Sequence, residues 1–115
     1  MKILIAPNAF KGTLTAGEAG AAVARGVKRV CGAEVEVLPI ADGGDGLLES
    51  LRPALGGKIM RAAVEGPLGA KVTARWLMAG RTAVIEMAEA SGLRLLGAAK
   101  LRPLDASTSG VGQLM

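Results

Sequence analysis

The stretch Ile40-Ala41-Asp42-Gly43-Gly44-Asp45-Gly46 constrains the fold of this 115-residue chain more than any other part. Its two carboxylates, three positions apart among three glycines, follow a strand-like run and precede a leucine-rich helical pattern. A strand, a glycine-rich turn and a helix N-terminus in succession present backbone N–H groups above the strand ends, and such ends favour anions such as phosphate. Beside a phosphate, Asp42 and Asp45 would hold Mg²⁺ or accept a proton rather than touch the phosphate themselves. The competing reading is conformational: Asp-Gly pairs make tight turns, and Asp caps helices.

The flanking segments build a βαβ unit around this turn. Ile3-Leu4-Ile5-Ala6 is apolar on both faces, the pattern of a central strand in a parallel sheet covered by helices. Pro7 ends it, and a loop over residues 8–13 follows. Thr15 and Glu18 have the spacing of a capping box, which predicts a helix beginning at Thr15. Ala19, Val23, Gly26, Val27 and Val30 form its expected apolar stripe, and Gly32 its stop. Glu34-Val35-Glu36-Val37-Leu38 alternates charged and apolar residues, as a strand with one wet face does. A right-handed crossover then places the Lys11 loop and the Asp42 loop at the carboxyl ends of two parallel strands. Leu47, Leu48 and Leu51 predict a short helix that Pro53 kinks or ends near Arg52.

From Lys58 the pattern becomes strand-rich, with strands predicted over residues 59–64, 72–78 and 82–87. Their short turn-like links predict an antiparallel meander. The expected fold class is therefore α/β: a βαβ start and a mixed sheet, with parallel core strands plus the antiparallel meander, in Rossmann-like layers. A short helical or irregular piece carries Ser91-Gly92-Leu93, and residues 106–112 read as a polar loop feeding another helix.

Composition narrows the function classes. Half of the residues are hydrophobic, enough for a real core. The 14 Lys+Arg against 10 Asp+Glu are scattered, and aromatics are only 2%, which argues against a nucleic-acid groove built from clustered charge and stacking rings. With no His and only Cys31, the chain can build neither an internal disulfide framework nor a zinc site, so a reducing, cytoplasmic location is expected. The apolar run at residues 3–6 is too short for a signal peptide and is interrupted by Pro7, Asn8 and Lys11. No segment approaches the roughly 20 apolar residues of a membrane span, so no membrane partner is expected.

Other residues carry chemistry in one reading and structure in another. Lys11 and Thr13 could bring an ammonium and a hydroxyl to phosphate, although the G-x-x-x-x-G-K-[ST] spacing is absent; the alternative is a surface lysine in a turn. Glu86 lies inside an apolar run, so it must find a partner such as Arg75 or face a ligand pocket. Ser91, Ser107, Thr108, Gly110 and Gly112 could contact substrate or phosphate, or serve loops and helix caps. Met60, Met78 and Met87 read as core.

Laid end to end, these segments resemble the glycerate kinase family, specifically its bacterial two-domain α/β class. The matching pieces are residues 5–16 (IAPNAFKGTLTA), 38–46 (LPIADGGDG), 66–69 (GPLG), 83–93 (AVIEMAEASGL) and 107–112 (STSGVG). Each is weak alone; five in order are specific. The resemblance implies ATP- and Mg²⁺-dependent transfer of the γ-phosphoryl group to a hydroxyl of D-glycerate, the 2-position ahead of the 3-position. It also implies that residues 1–115 are the N-terminal part of a longer two-domain chain, whose remaining C-terminal portion would complete the protein. Lys11, Asp42, Asp45, Ser91, Thr108 and Gly110 match positions in the family's motifs around its active-site cleft. On that basis Lys11 is assigned to neutralising phosphate or the glycerate carboxylate, Asp42 to metal binding or activation of the attacking hydroxyl, and Asp45 to metal binding or its support. The amides of Gly43 and Gly44 would cradle phosphate.

The family usually carries an acidic residue and a serine where this chain has Asn8 and Ala9, and a glutamate where it has Gln113. An amide cannot take over a carboxylate's role toward a metal or a proton. These departures favour a second reading, a non-catalytic nucleotide- or anion-binding remnant of the fold, which the retained Lys11, Asp42 and Asp45 oppose. A dinucleotide oxidoreductase is disfavoured because no G-x-G-x-x-G turn follows the first strand.

Overall fold

The computed structural model describes residues 1–97 and 101–115. They form two compact units, Met1–Asp42 and Gly43–Met115. The first is built from β1 (Lys2–Ile5), α1 (Ala16–Val30) and β2 (Glu34–Val37). The strands pair in parallel, Ile3 opposite Val35 and Ile5 opposite Val37. The capping box forms as predicted: Glu18 N–H donates to Thr15 Oγ1 at 3.2 Å, and Thr15 N–H to Glu18 Oε2 at 2.8 Å. These two bonds satisfy free donors at the helix start; Thr15 N–H, with Thr15 Oγ1 donating to the same Oε2 at 2.8 Å, holds the Glu18 carboxyl below its ordinary range.

Three expectations about this unit are corrected. Of the expected α1 stripe only Ala19 is buried and Val27 half-buried, whereas Val23 is 50% and Val30 88% exposed; the other covered positions are Ala16 and Gly20. A helix of 15 residues spans about 22 Å and a strand of four about 13 Å, so the helix outruns the sheet beneath it. The helix stops at Cys31, whose extended backbone ends it one residue before Gly32, with no left-handed glycine. Finally, β1 is not central, because β1 and β2 form a two-stranded sheet among the described residues. Leu4, expected under a helix, is 58% exposed.

The second unit contains α2 (Leu47–Leu55), β3 (Lys58–Glu65), β4 (Lys71–Ala79), β5 (Thr82–Ile85), α3 (Met87–Ser91), a 3-10 turn (Leu93–Leu95) and α4 (Ser109–Leu114). The meander is as predicted: β3 pairs antiparallel with β4, and β4 with β5. The fold class is therefore the expected α/β with parallel and antiparallel strands, but the two sets are hydrogen-bonded as separate sheets rather than one mixed sheet. Pairing in register puts Val64 and Ala74 on one face, where they pack with Ala90 of α3 and with Val111 and Leu114 of α4. Leu48 of α2 and Leu77 of β4 are fully buried.

Two boundaries differ from expectation. Pro53 lies inside α2, which continues past Arg52 to Leu55, so of the expected kink or end the end near Arg52 is not what forms. The last turn closes instead through Gly56 N–H to the Arg52 carbonyl at 2.8 Å, with Gly56 at φ +67°. β5 stops at Ile85, so Glu86 leaves the strand and becomes the residue that starts α3. No described helix is long and apolar enough to cross a membrane.

Candidate functional site

In the first unit the parallel ladder continues past the strands: Leu38 N–H donates to Ile5 O and Ile40 N–H to Pro7 O, each at 2.9 Å. The Lys11 turn and the Asp42 segment therefore leave from the same, carboxyl end of this sheet. Lys11 sits at the tip of a closed turn in which Phe10 N–H donates to Leu14 O at 2.9 Å, and Thr13 N–H to Phe10 O at 2.9 Å. Gly12 at φ +74° makes that turn feasible. Lys11 and Asp42 are both exposed. Asn8 turns inward on its own backbone, its Oδ1 accepting Ala9 N–H at 2.7 Å.

In the second unit the glycine turn leads directly into α2, with Gly43 at φ +96° and Gly46 at φ +93°. The helix N-terminus expected to offer bare amides is already occupied. Glu86, 1% exposed, accepts Gly46 N–H through Oε1 at 3.2 Å and Leu48 N–H through Oε2 at 3.1 Å. A protein carboxylate thus takes the place where an anion was expected, as the positive end of a helix dipole favours. Burial pushes the Glu86 carboxyl up, and the two backbone donors only partly oppose it.

Asp45 is also engaged: Arg94 Nε donates to its Oδ1 at 2.8 Å. The same Arg94 reaches Glu89 Oε1, and Arg75 reaches that oxygen too, at 2.6 Å through Nη2 and 3.1 Å through Nε. Arg75 N–H donates to Glu89 Oε2 at 2.9 Å, and Arg75 Nη1 to Glu49 at 2.9 Å. The result is an alternating chain, Glu49–Arg75–Glu89–Arg94–Asp45, anchored on Glu89, which is 3% exposed. Burial pushes the Glu89 carboxyl up, but the hydrogen bonds from Arg75 and the charges of Arg94 and Arg75 outweigh it, leaving Glu89 below the ordinary range. Arg75 is held the more firmly protonated by Glu89.

The expected pairing of Glu86 with Arg75 does not form; Arg75 chooses Glu89 and Glu49. Glu89 and Arg94 were not singled out from the sequence, although two carboxylates three apart in an otherwise apolar run, Glu86-Met87-Ala88-Glu89, were the available signal. Of the remaining residues, Ser91 ends α3 with its Oγ buried and without a hydrogen-bond partner among the described residues. Thr108 starts α4 but its side chain makes no cap; Ser107 Oγ accepts Ser109 N–H at 3.0 Å instead. Gly110 is buried where a Cβ would lie 1.8 Å from the Glu65 carbonyl, so its place is set by close helix–strand contact. Gln113 accepts Glu65 N–H at 2.9 Å and donates to Glu65 Oε2 at 3.3 Å, a two-sided pairing that an ionised carboxylate cannot make.

Among the described residues no group of three or more carboxylate, thiol or imidazole side chains could hold a metal ion.

These features define the class: an α/β protein with an exposed lysine and aspartate at the carboxyl end of a parallel strand pair in one unit, and a left-handed glycine turn tied to two buried carboxylates in the other. Within it the chain belongs to the glycerate kinase family, whose sequence profile matches residues 3–115. The Bacillus subtilis glycerate kinase is 51% identical over 118 residues, covering 100% of this chain and 31% of the relative. The Escherichia coli protein named glycerate 2-kinase is 43% identical, with the same coverage. A crystal structure from Salmonella typhimurium LT2, bearing a provisional glycerate kinase 2 name, aligns with 99% of this chain and 31% of its own at 41% identity and a TM-score of 0.67. The chain thus spans about a third of the length of the relatives it matches.

Proposed function

We propose that this chain serves an ATP- and Mg²⁺-dependent kinase that transfers a γ-phosphoryl group to the 2-hydroxyl of D-glycerate. The observation that carries this reading is the exposure of Lys11 and Asp42 at one end of the β1–β2 pair, in a chain matched to the family along its length. Lys11 neutralises phosphate or the substrate carboxylate. Asp42 holds the metal or accepts the hydroxyl proton, and Asp45 supports the metal. On the match to the family's motifs, Gly43 and Gly44 are assigned to phosphate and Ser91, Thr108 and Gly110 to the substrate. Bound Mg²⁺ would neutralise charge developing on the phosphoryl oxygens. In this reading residues 1–115 are the N-terminal portion of a two-domain protein, and the greater length of the relatives corresponds to the part that completes it. The free Cys31 accords with a reducing cytoplasm.

The test is ADP release with and without D-glycerate, with Asp42→Asn as control and ³¹P NMR to separate 2- from 3-phosphoglycerate. Turnover independent of glycerate or of Asp42 overturns the assignment. A second reading, nucleotide or anion binding without transfer, draws on the Arg94–Asp45 ion pair and on Glu86 filling the α2 N-terminus. Nucleotide binding with no ADP release in the same assay selects it.

A further inference from the structure

Asp45 is held from two directions by one short element. Glu86, at the start of α3, takes the backbone N–H groups of Gly46 and Leu48, which fixes the turn immediately after Asp45. Glu89, one turn further along α3, holds Arg94, and Arg94 donates Nε to Asp45 Oδ1. Both glutamates are almost wholly buried, whereas the Asp45 and Arg94 side chains are 47% and 44% exposed. A half-exposed carboxylate on a glycine turn samples many orientations unless something restrains both its backbone and its head group. Here each restraint is present and each traces back to α3. An ordinary surface ion pair contributes little to stability and is often not kept. This one differs because Arg94 is already fixed on a buried carboxylate, so less conformational entropy is lost in meeting Asp45.

We propose that Glu86 and Arg94 are positioning residues for Asp45: Glu86 sets the backbone of the Asp45–Gly46 turn, and Arg94, held by Glu89, orients the Asp45 carboxylate through Oδ1. The kinetic consequence rests on the phosphoryl-transfer reading; the geometry does not. Removing a hydrogen-bonding partner behind a metal- or substrate-binding carboxylate lowers activity or affinity by roughly 10- to 100-fold. A group that acts only through Asp45 has nothing left to act on once Asp45 is gone, so its effect vanishes in that background.

Two measurements test this. In steady-state kinetics with ATP, Mg²⁺ and D-glycerate, Arg94→Gln lowers kcat by roughly 10- to 100-fold while the KM for glycerate moves less than about threefold. Arg94→Lys restores part of the loss, and Asp45→Ala/Arg94→Gln is no slower than Asp45→Ala. An equal loss from Arg94→Gln in the Asp45→Ala background overturns the proposal, as does an Asp45→Ala protein of undiminished activity. In NMR of the full-length protein, the Arg94 Nε–H signal is protected in the wild type and lost in Asp45→Ala. The Gly46 amide exchanges at least about tenfold faster in Glu86→Gln, a larger factor than that of the β3–β4 ladder, which follows only the global loss of stability. If Glu86→Gln does not fold, Glu86→Asp is used. An Arg94 Nε–H signal indifferent to Asp45, together with Gly46 exchange indifferent to residue 86, overturns the proposal. Absence of glycerate-dependent turnover in the full-length wild-type protein instead defeats the kinase reading, and the NMR result then decides the positioning on its own.

Discussion

Glu86 Oε2 accepts the backbone N–H of Leu48 at 3.1 Å, joining residues 38 positions apart in a fully buried contact. Its other oxygen takes Gly46 N–H, so one carboxylate completes the N-terminus of α2. Glutamine at 86 keeps one acceptor but aims an amide donor at the second N–H. Glu86→Gln is therefore expected to destabilise the fold by about 1–3 kcal/mol, read as a lower midpoint of urea unfolding with little change in slope.

The two buried glutamates of α3 make opposite contributions to stability as pH varies. Glu86 has a raised carboxyl, so its folded form binds protons more tightly than its unfolded form. Its contribution is present at low pH and declines as pH rises from the ordinary glutamate value through the raised one. Glu89 is lowered, so its contribution is present above the ordinary glutamate value and is lost as pH falls through the lowered one. Unfolding measured across the acid range is expected to show the first slope vanish in Glu86→Gln and the second in Glu89→Gln.

Gly110→Ala places a Cβ 1.8 Å from the Glu65 carbonyl, a backbone atom that cannot step aside. The expected result is displacement of α4 from β3 and a loss of about 1–3 kcal/mol, with faster proteolysis of the last residues as the readout. Gly20→Ala, whose Cβ would meet side-chain atoms of Val37 and Pro7 rather than a backbone carbonyl, is expected to cost less, though both neighbours are stiff.

Gln113→Glu brings a second carboxylate against Glu65 and removes the donor to its Oε2. Helix content read by circular dichroism should fall at neutral pH and recover in acid, where the carboxyls protonate. The effect should stay below about 1 kcal/mol because both side chains are solvated. The amide of Gln113 therefore has a structural task of its own.

Lys11→Met tests an exposed residue with no assigned structural duty. Stability should change by less than about 0.5 kcal/mol, whereas glycerate-dependent ADP release should fall by about 100-fold or more. Equal turnover in the two proteins would remove Lys11 from the proposed site.

Much of the architecture was legible because it depends on local signals. The Thr15–Glu18 capping box is written in adjacent residues and forms as read. The meander follows from short turn-like links, and the βαβ connection from an apolar strand, a capped helix and an alternating strand. Lys11 and Asp42 appear at one sheet end because parallel pairing dictates it. The Glu86 partner was misjudged because the apolar pattern of residues 82–87 gives no sign that the strand stops at Ile85.

The sequence by itself determined the order of the elements, the caps and turns, and the family, since each rests on residues close together along the chain or on motifs in fixed order. Only the tertiary structure decided which charges meet. Glu89 with Arg75 and Arg94, Arg94 with Asp45, and Glu86 with the α2 amides all depend on how α3 lies against β4 and the start of α2. A buried carboxylate must find donors, but which donors come within reach is fixed by packing, and packing is not periodic in the sequence.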